Sequence, residues 1–402
     1  MGKIDKEKIL KTFNIIKIVF CTIIGIGMIW AFYDPLVRNI WYRRAIDIYD
    51  VLFGIMCAAI IAFIILCNIT KLKRIYFLFL VPVVCILTGL GISRYEYHIS
   101  SIPTLYEELD LYYYMPFSIF EANYPSKLAV LGEDSNFKII DNLPKLDGAT
   151  AFYPVYAAFV QAVYPVGKYS YWDKNSPVIC TRTASAYDNL LNGEVDIIFC
   201  LEPSNEQLQR FINRGLNIKF VPIGKEAFVF FVNANNRVNN ISIQDIHGIY
   251  SGNITNWRHF DGPNKNILVF QRPKNSGSQT ILEKIMGDVP IVDPKIEDVK
   301  QGMGYMVSQV AAYKNFNNSI GYSFLQYSTE MLKNDQIKLL SIDDISPSAV
   351  TIQDDSYPFT VFFYAVYIEK EGMNPNINPF IQWILSEQGQ TLVSGTGYVP
   401  VN

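Results

Sequence analysis

Two short segments of this chain carry hydroxyl and backbone groups in a spacing that suits an oxyanion, and the second adds a cationic side chain. The first is Gly148–Ala151, which directly follows a predicted strand and precedes a helix predicted to begin near Pro154. The first N–H groups of a helix have no partner within it, and the helix dipole makes this end positive. Thr150 adds a hydroxyl donor. The pattern also fits an ordinary helix N-cap, so both interpretations stay open.

The second segment is Gln271–Thr280, in which three residues separate Arg272 from Ser276-Gly277-Ser278 and a predicted helix follows. A guanidinium is permanently charged and presents a fork to two oxygens, and the turn offers backbone N–H groups and two hydroxyls. A solvated turn with a surface arginine would have the same sequence. The spacing alone does not separate an anion loop from that alternative.

The remaining composition argues against several functional classes. The three histidines, His98, His247 and His259, do not have the spacing of zinc ligands. They also give no sign of a catalytic triad in which a histidine activates a nucleophile. We therefore expect no enzyme activity and no cofactor. The net charge of −3 gives no reason to expect a nucleic-acid partner.

Strands alternating with helices must position the two anion segments. This order predicts an α/β fold with right-handed crossovers and a largely parallel sheet, in which ligands bind beyond the carboxyl ends of the strands. The predicted strands are Phe137–Ile140, Asn142–Gly148, Pro177–Cys180, Val195–Cys200 and Ile218–Pro222, and the predicted helices are Pro154–Val163, Ala184–Leu191 and Glu206–Asn213.

Two cysteines, Cys180 and Cys200, lie at the ends of predicted strands outside the apolar N-terminal region. If their strands flank a third one, their Cα atoms lie about two strand spacings apart, roughly 9–10 Å, which is too far for a disulfide. We expect two free, mostly buried thiols, although another strand order would reopen the question.

The first 95 residues carry three apolar runs of membrane-spanning length, about 13–33, 51–68 and 75–92. Each is long enough to cross a hydrocarbon core of about 30 Å as a helix. The first is longer than a typical signal-peptide core and lacks a small-residue cleavage site, so we interpret it as a retained helix. The chain is therefore expected to be a multi-pass protein of the cell membrane.

Lysines and arginines in the short loops predict the orientation. Seven of these residues fall on the side of the N-terminus and three fall on the other side. The positive-inside rule then places the N-terminus in the cytoplasm and everything after Ile92 outside the cell. Residues 96–130 form a polar, aromatic linker or strap before the domain at 131–402.

Taken together, several motifs in this domain resemble those of the phosphate-binding proteins of ABC-type phosphate importers. Gly148–Thr150 precedes Pro154–Ala157, and three residues separate Arg272 from Ser276-Gly277-Ser278. Further matching segments are Ile249–Trp257, Ile320–Ser323, Ser386–Gln390 and Gly397–Pro400. The resemblance implies a type 2 periplasmic-binding-protein-like fold with lobe one at 131–226 and 356–402 and lobe two at 227–355. Segments 227–233 and 359–367 would be the crossing strands.

The resemblance also implies a set of ligand-binding residues. Thr183 matches a second hydroxyl loop in the family. The family has an aspartate that accepts the proton of hydrogen phosphate, but the matching position here is Leu201, so Glu202 beside it becomes the candidate for that role. The implied ligand-binding residues are Ala149, Thr150, Ala151, Thr183, Glu202, Arg272, Ser276, Gly277 and Ser278.

The function implied is capture of phosphate outside the cell and delivery to ABC permease subunits, without catalysis. One alternative is a membrane-tethered oxyanion sensor, which the multi-helix anchor would serve. Another is a different oxyanion, namely sulfate, molybdate or tungstate, because Leu201 replaces the proton acceptor.

Overall fold

A computed structural model of the chain describes residues 110–117, 126–293, 318–331 and 336–401. The three predicted membrane spans and most of the predicted strap lie outside these ranges. Within them, every helix is too short or too polar to cross a bilayer.

The described residues alternate between strands and helices, as the sequence pattern predicts. The strands are β1 (Leu146–Gly148), β2 (Ile197–Cys200), β3 (Asn217–Asn233), β4 (Asn240–Ile241), β5 (Leu268–Val269), β6 (Ser319–Phe324), β7 (Ile337–Leu339), β8 (Ser341–Ile342) and β9 (Thr360–Glu369). The α-helices are α1 (Tyr153–Val163), α2 (Thr183–Asn192), α3 (Asn205–Asn213), α4 (Ile243–Tyr250), α5 (Gly277–Met286), α6 (Ala349–Gln353), α7 (Ile377–Ile384) and α8 (Glu387–Gly395). Short 3-10 turns cover Leu111–Tyr114, Thr150–Phe152 and Trp257–Phe260, and Tyr327–Met331 is a π-helical turn.

The long strand β3 joins two sheet regions, and these define the two lobes. Its first part, Asn217–Ala227, pairs antiparallel with β9, and β9 pairs antiparallel with β2, which lies parallel to β1. Its second part, Phe228–Asn233, pairs with β6 and β7, and β6 lies parallel to β5. We call the region of β1, β2 and β9 lobe one and the region of β5, β6 and β7 lobe two. The expected two-lobed α/β fold is therefore observed, with β3 crossing between the lobes.

Several details differ from the sequence-based expectation. The sheet is only partly parallel, because the predicted strand Ile218–Pro222 is the first part of β3 and runs antiparallel to β9. Phe137–Ile140 is not a strand, and Ile140 is 84% exposed. Pro177–Cys180 is reduced to a single bridge, in which Val178 pairs parallel with Leu146 of β1.

Helix α1 is the central element of lobe one. Ten of its eleven residues are buried, so it is apolar on all sides, as a helix enclosed by other elements must be. Tyr156 stacks on Phe199 of β2 with ring centroids 4.9 Å apart, and Phe159 meets Trp383 of α7 edge to face at 6.0 Å. These two ring contacts pack α1 against β2 and against α7.

The strand arrangement also decides the state of the two cysteines. β1 lies between β2 and the bridge at Val178, so the segments that carry Cys180 and Cys200 flank β1. Both thiols are free, Cys200 is buried and Cys180 is half-buried. The prediction of two unpaired cysteines is confirmed.

Candidate functional site: a cleft between the two lobes

The two predicted anion segments and the turn before α2 line one cavity of about 360 Å³. Both lobes contribute to it, so the sequence-distant segments meet where a two-lobed protein can enclose a ligand. Of the nine predicted site residues, eight line this cavity, namely Ala149, Thr150, Ala151, Thr183, Arg272, Ser276, Gly277 and Ser278.

The first wall of the cleft comes from the end of β1. A Cβ atom on Gly148 would lie 2.6 Å from the carbonyl oxygen of Phe199 and 2.9 Å from the Tyr156 ring, so only glycine fits there. The backbone N–H of Ala149 donates to the same carbonyl oxygen at 3.0 Å. Tyr398 fixes the following turn, because its hydroxyl donates to the carbonyl oxygen of Ala151 at 2.6 Å. The turn that carries Thr150 is therefore held from both sides.

Sequence reasoning missed a buried carboxylate beneath this wall, at Asp147. The side chain is fully buried and accepts hydrogen bonds from the Thr181 N–H (2.8 Å), the Thr181 hydroxyl (2.6 Å) and the Asn189 amide (2.8 Å). Burial raises the pKa of Asp147, while these donors act in the opposite direction. Asp147 thereby ties the end of β1 to the loop that leads into α2. An aspartate inside a short, otherwise apolar strand was the signal available in the sequence.

The second wall is the start of α2, where Thr183 is the first helical residue and 9% exposed. It faces α5 of lobe two, because a Cβ atom on Gly277 would lie 3.2 Å from the Thr183 hydroxyl oxygen. Glycine at this position lets the two helix starts approach each other. Two positive helix ends therefore converge on the cleft.

The third wall is the loop of lobe two that carries Arg272. The backbone N–H of Arg272 donates to the Gln279 side-chain oxygen at 3.0 Å and to the Tyr322 hydroxyl at 2.8 Å, which fixes the backbone from which the guanidinium extends. Ser276 caps α5 by accepting from the Gln279 N–H. Its hydroxyl proton remains available to donate elsewhere.

Ser278 is the most informative hydroxyl in the cleft. It lies in the first turn of α5, is 3% exposed, and lines the cavity. Among the described residues, its hydroxyl oxygen has no hydrogen-bond partner. Because a buried hydroxyl without a partner is costly, the position favours a polar ligand in the cleft.

Glu202 is the one predicted site residue that lies outside this cavity. It forms an ion pair with Lys284 of α5 and accepts from the Tyr364 hydroxyl at 3.0 Å, and the hydrogen bond from Lys284 is the main cause that lowers its pKa. Leu201, which is 2% exposed, lines the cavity instead. Successive side chains leaving a strand point to opposite sides, so Glu202 faces away from the ligand space. The expected role as proton acceptor is therefore corrected.

The loop after β2 and the start of α3 make three contacts with lobe two. Besides the Glu202 pair, the Ser204 hydroxyl donates to the Asn275 side-chain oxygen at 2.7 Å, and Glu206 forms an ion pair with Lys274 at 2.7 Å. These contacts hold the lobes together on one side of the cleft. The observed arrangement is therefore a closed one.

The cleft and the fold together define a class of protein, a two-lobed α/β protein with a cleft between its lobes at two helix starts. Residues 145–388, more than half of the chain, match the family model of the PBP superfamily domain. The chain therefore belongs to the PBP superfamily.

Known relatives carry a more specific name. The phosphate-binding protein PstS of Staphylococcus aureus strain MRSA252 is 25% identical over 224 residues, which cover 54% of this chain and 67% of that protein. PstS of Staphylococcus haemolyticus is 23% identical over 234 residues, covering 54% and 69%.

Solved structures were matched as well. An ABC-type phosphate transport receptor of Vibrio cholerae matches at 17% identity with a TM-score of 0.48, over 63% of this chain and 98% of that chain. A candidate phosphate ABC transporter substrate-binding protein of Clostridium perfringens, solved with bound phosphate, matches at 23% identity with a TM-score of 0.49, over 66% and 100%.

Proposed function

We propose that this protein binds phosphate in the cleft between its lobes and delivers it to ABC permease subunits without catalysis. The observation that carries the proposal is the convergence of eight predicted residues from three separate loops on one cavity. These loops supply a guanidinium, several hydroxyls and two helix starts, which are the groups that bind a tetrahedral oxyanion. The PstS relatives, named as phosphate-binding proteins, support phosphate as the anion.

The direct test is calorimetric titration of the purified full-length protein in detergent with phosphate, sulfate, molybdate and tungstate. We expect phosphate to bind with one site per chain. Absence of phosphate binding under conditions where the protein is folded would overturn the proposal.

We further propose that the domain lies outside the cell and is held by the three predicted N-terminal helices. Val166 is 86% exposed and suits a labelling site. The variant Val166→Cys should react with an impermeant thiol reagent on intact cells, because this position would be exposed outside the cell. The native Cys200 is buried and Cys180 is half-buried, so these two thiols should react less. Labelling only after lysis would contradict the orientation. The parent chain, treated in the same way, measures the background from native thiols.

Sensing is a second candidate function, and one contact favours it. Leu111, within the predicted strap, is 6% exposed and lines the same cleft as Arg272. The segment is attached to the domain, since the Phe117 N–H donates to the Gln161 side-chain oxygen at 2.6 Å. A tether that reaches the ligand space could pass occupancy to the membrane region. Cells that lack the gene for this protein should take up less phosphate if the protein delivers phosphate to a permease. If the protein is a sensor, uptake should stay the same and only the cellular response to external phosphate should change.

A further inference from the structure

Arg182 has a backbone conformation that arginine rarely adopts. It is the N-cap of α2, with φ 75° and ψ 163°. This region is accessible essentially to glycine alone, because a Cβ atom meets the backbone there. Strain of this kind persists where the surroundings impose it, and it is concentrated at ligand sites. An arginine at this position therefore calls for an explanation other than local preference.

Arg182 is an exposed residue that lines the cleft. It stands directly before Thr183 and on the opposite wall from Arg272. The hydrogen bonds from Thr181 to Asp147 fix the preceding residue, so the loop cannot easily relax to a less strained form. The fold thus places a second arginine at the cavity. The sequence motifs alone did not identify it.

The charge balance of the cleft is one-sided. Its cationic lining residues are Arg182, Arg272 and Lys274, and none of the lining residues that the structure describes carries a carboxylate. Lys274 is engaged in its ion pair with Glu206, and both side chains are largely exposed. Arg182 and Arg272 therefore leave this lining with a net positive charge.

We propose that Arg182 is a second anion-binding arginine and that the cleft selects tetrahedral dianions by charge, without reading a proton on the ligand. This inference rests on the proposed function and specifies its ligand class. A carboxylate in a closed site accepts a hydrogen bond from the hydroxyl group of hydrogen phosphate and repels the unprotonated oxygens of sulfate. With Leu201 at that wall and Glu202 turned away, the described cleft has no such device, so sulfate and hydrogen phosphate bind comparably.

Arg182→Gly is the sharpest variant, because glycine adopts this backbone without strain. The thermal midpoint should stay the same or rise, while phosphate affinity should fall about tenfold to a hundredfold, as expected for one charge-assisted hydrogen bond. Arg182→Lys keeps the charge but loses the planar guanidinium that can bind two oxygens. Its phosphate affinity should therefore lie between that of the parent and that of Arg182→Gly. Arg258→Ala, which removes an exposed arginine outside the cleft, should leave affinity unchanged.

The experiment is calorimetry of the full-length protein in detergent at mildly alkaline pH, with inorganic phosphate and with sulfate. We expect the parent to bind sulfate within about tenfold of phosphate, and Arg182→Gly to weaken both. Unchanged affinity in Arg182→Gly overturns the role of Arg182. Binding of phosphate with rejection of sulfate overturns the charge-based selection but leaves the proposed function intact. Failure of both anions to bind the parent overturns the proposed function and this inference with it.

Discussion

The two sides of the cleft are built in different ways. In lobe two, Arg272 and the serines of the α5 start lie within one short stretch of sequence, so a local motif supplies most of the wall. In lobe one, the wall depends on Asp147 joining β1 to the α2 loop, residues that are far apart in the chain. The comparison teaches that the lobe-two wall carries its chemistry in the sequence motif, whereas the lobe-one wall acquires its geometry only through tertiary contacts.

The largest expected effect belongs to the lobe-two wall. Arg272→Ala removes a charged donor that can bind two ligand oxygens at once, and each such hydrogen bond is worth about 1.5–3 kcal/mol. Phosphate affinity should fall by two or more powers of ten, at about 1.4 kcal/mol per power. The measurement is calorimetry, with Arg258→Ala as the remote control. Parental affinity in Arg272→Ala would show that the local motif is not the anion loop.

Asp147→Asn tests the tertiary dependence of the lobe-one wall. The amide group cannot accept all the hydrogen bonds that the carboxylate receives from Thr181 and Asn189, so a buried donor loses its partner at a cost of about 1–3 kcal/mol. Unfolding by urea should show this loss. Phosphate affinity should fall about tenfold, because the loop before Thr183 is no longer fixed.

The matched control for Asp147 is Asp188→Asn, which changes a surface acid of α2 paired with Arg210. We expect little change in either measurement, since exposed ion pairs contribute about 0–1 kcal/mol. If Asp147→Asn lowers stability but leaves affinity at the parental value, Asp147 stabilises the fold without positioning the anion loop.

The strand that joins the lobes contains a second buried acid, Glu226. It is 2% exposed, and burial raises its pKa to about 8, although hydrogen bonds from the N–H groups of Ala227 and Gln326 lower it. The folded state therefore holds a proton that the unfolded state releases above about 4.5. Stability should be highest below that pH and should fall as the pH rises toward 8.

Glu226→Gln should reduce this fall, because glutamine does not ionise. The measurement is the urea midpoint at several pH values between acid and mildly alkaline conditions, with the exposed Glu194→Gln as control. An identical pH slope in Glu226→Gln and the parent would mean that another group causes the dependence.

Variants that each remove one hydroxyl group allow a direct comparison of the two walls. Ser278→Ala in lobe two and Thr150→Ala in lobe one each remove one cleft-lining hydroxyl, and each should weaken phosphate binding by roughly one power of ten. The stability changes should differ. Ser278→Ala removes a buried hydroxyl that has no partner among the described residues, so the ligand-free protein should become no less stable. A loss of stability without a loss of affinity would contradict its role as a ligand donor.

The sequence predicted the parts of the fold and site that depend on local patterns. Helix α1, the free cysteines and the Arg272 loop follow from periodicity, spacing and motif. Phe137–Ile140 was predicted as a strand from its apolar residues, but the N–H of Ile139 donates to the Val163 carbonyl at the end of α1 and not to a neighbouring strand. Arg182 and Asp147 could not be found in this way. Arg182 stands out by its positive φ, and Asp147 by its buried hydrogen bonds to Thr181 in a distant loop. Glu202 was misassigned because the sequence does not show which of two adjacent side chains points into the cleft. In the structure Leu201 lines the cavity and Glu202 points to the other side.

The smallest expected effect concerns Glu202. It distinguishes an ion pair with Lys284 between the lobes from the originally expected role as acceptor for the proton of hydrogen phosphate. Its ion pair with Lys284 joins the lobes, but both side chains are close to half exposed, so the pair should contribute about 0–1 kcal/mol to closure. Glu202→Gln should therefore weaken phosphate and sulfate by the same factor, less than about fivefold. Lys284→Gln should have a similar effect, and the double variant should be no weaker than either single one, because both changes break the same contact. Calorimetry of the three variants with both anions is the measurement. A selective gain in sulfate affinity in Glu202→Gln, with phosphate weakened, would restore Glu202 as the group that accepts the ligand proton.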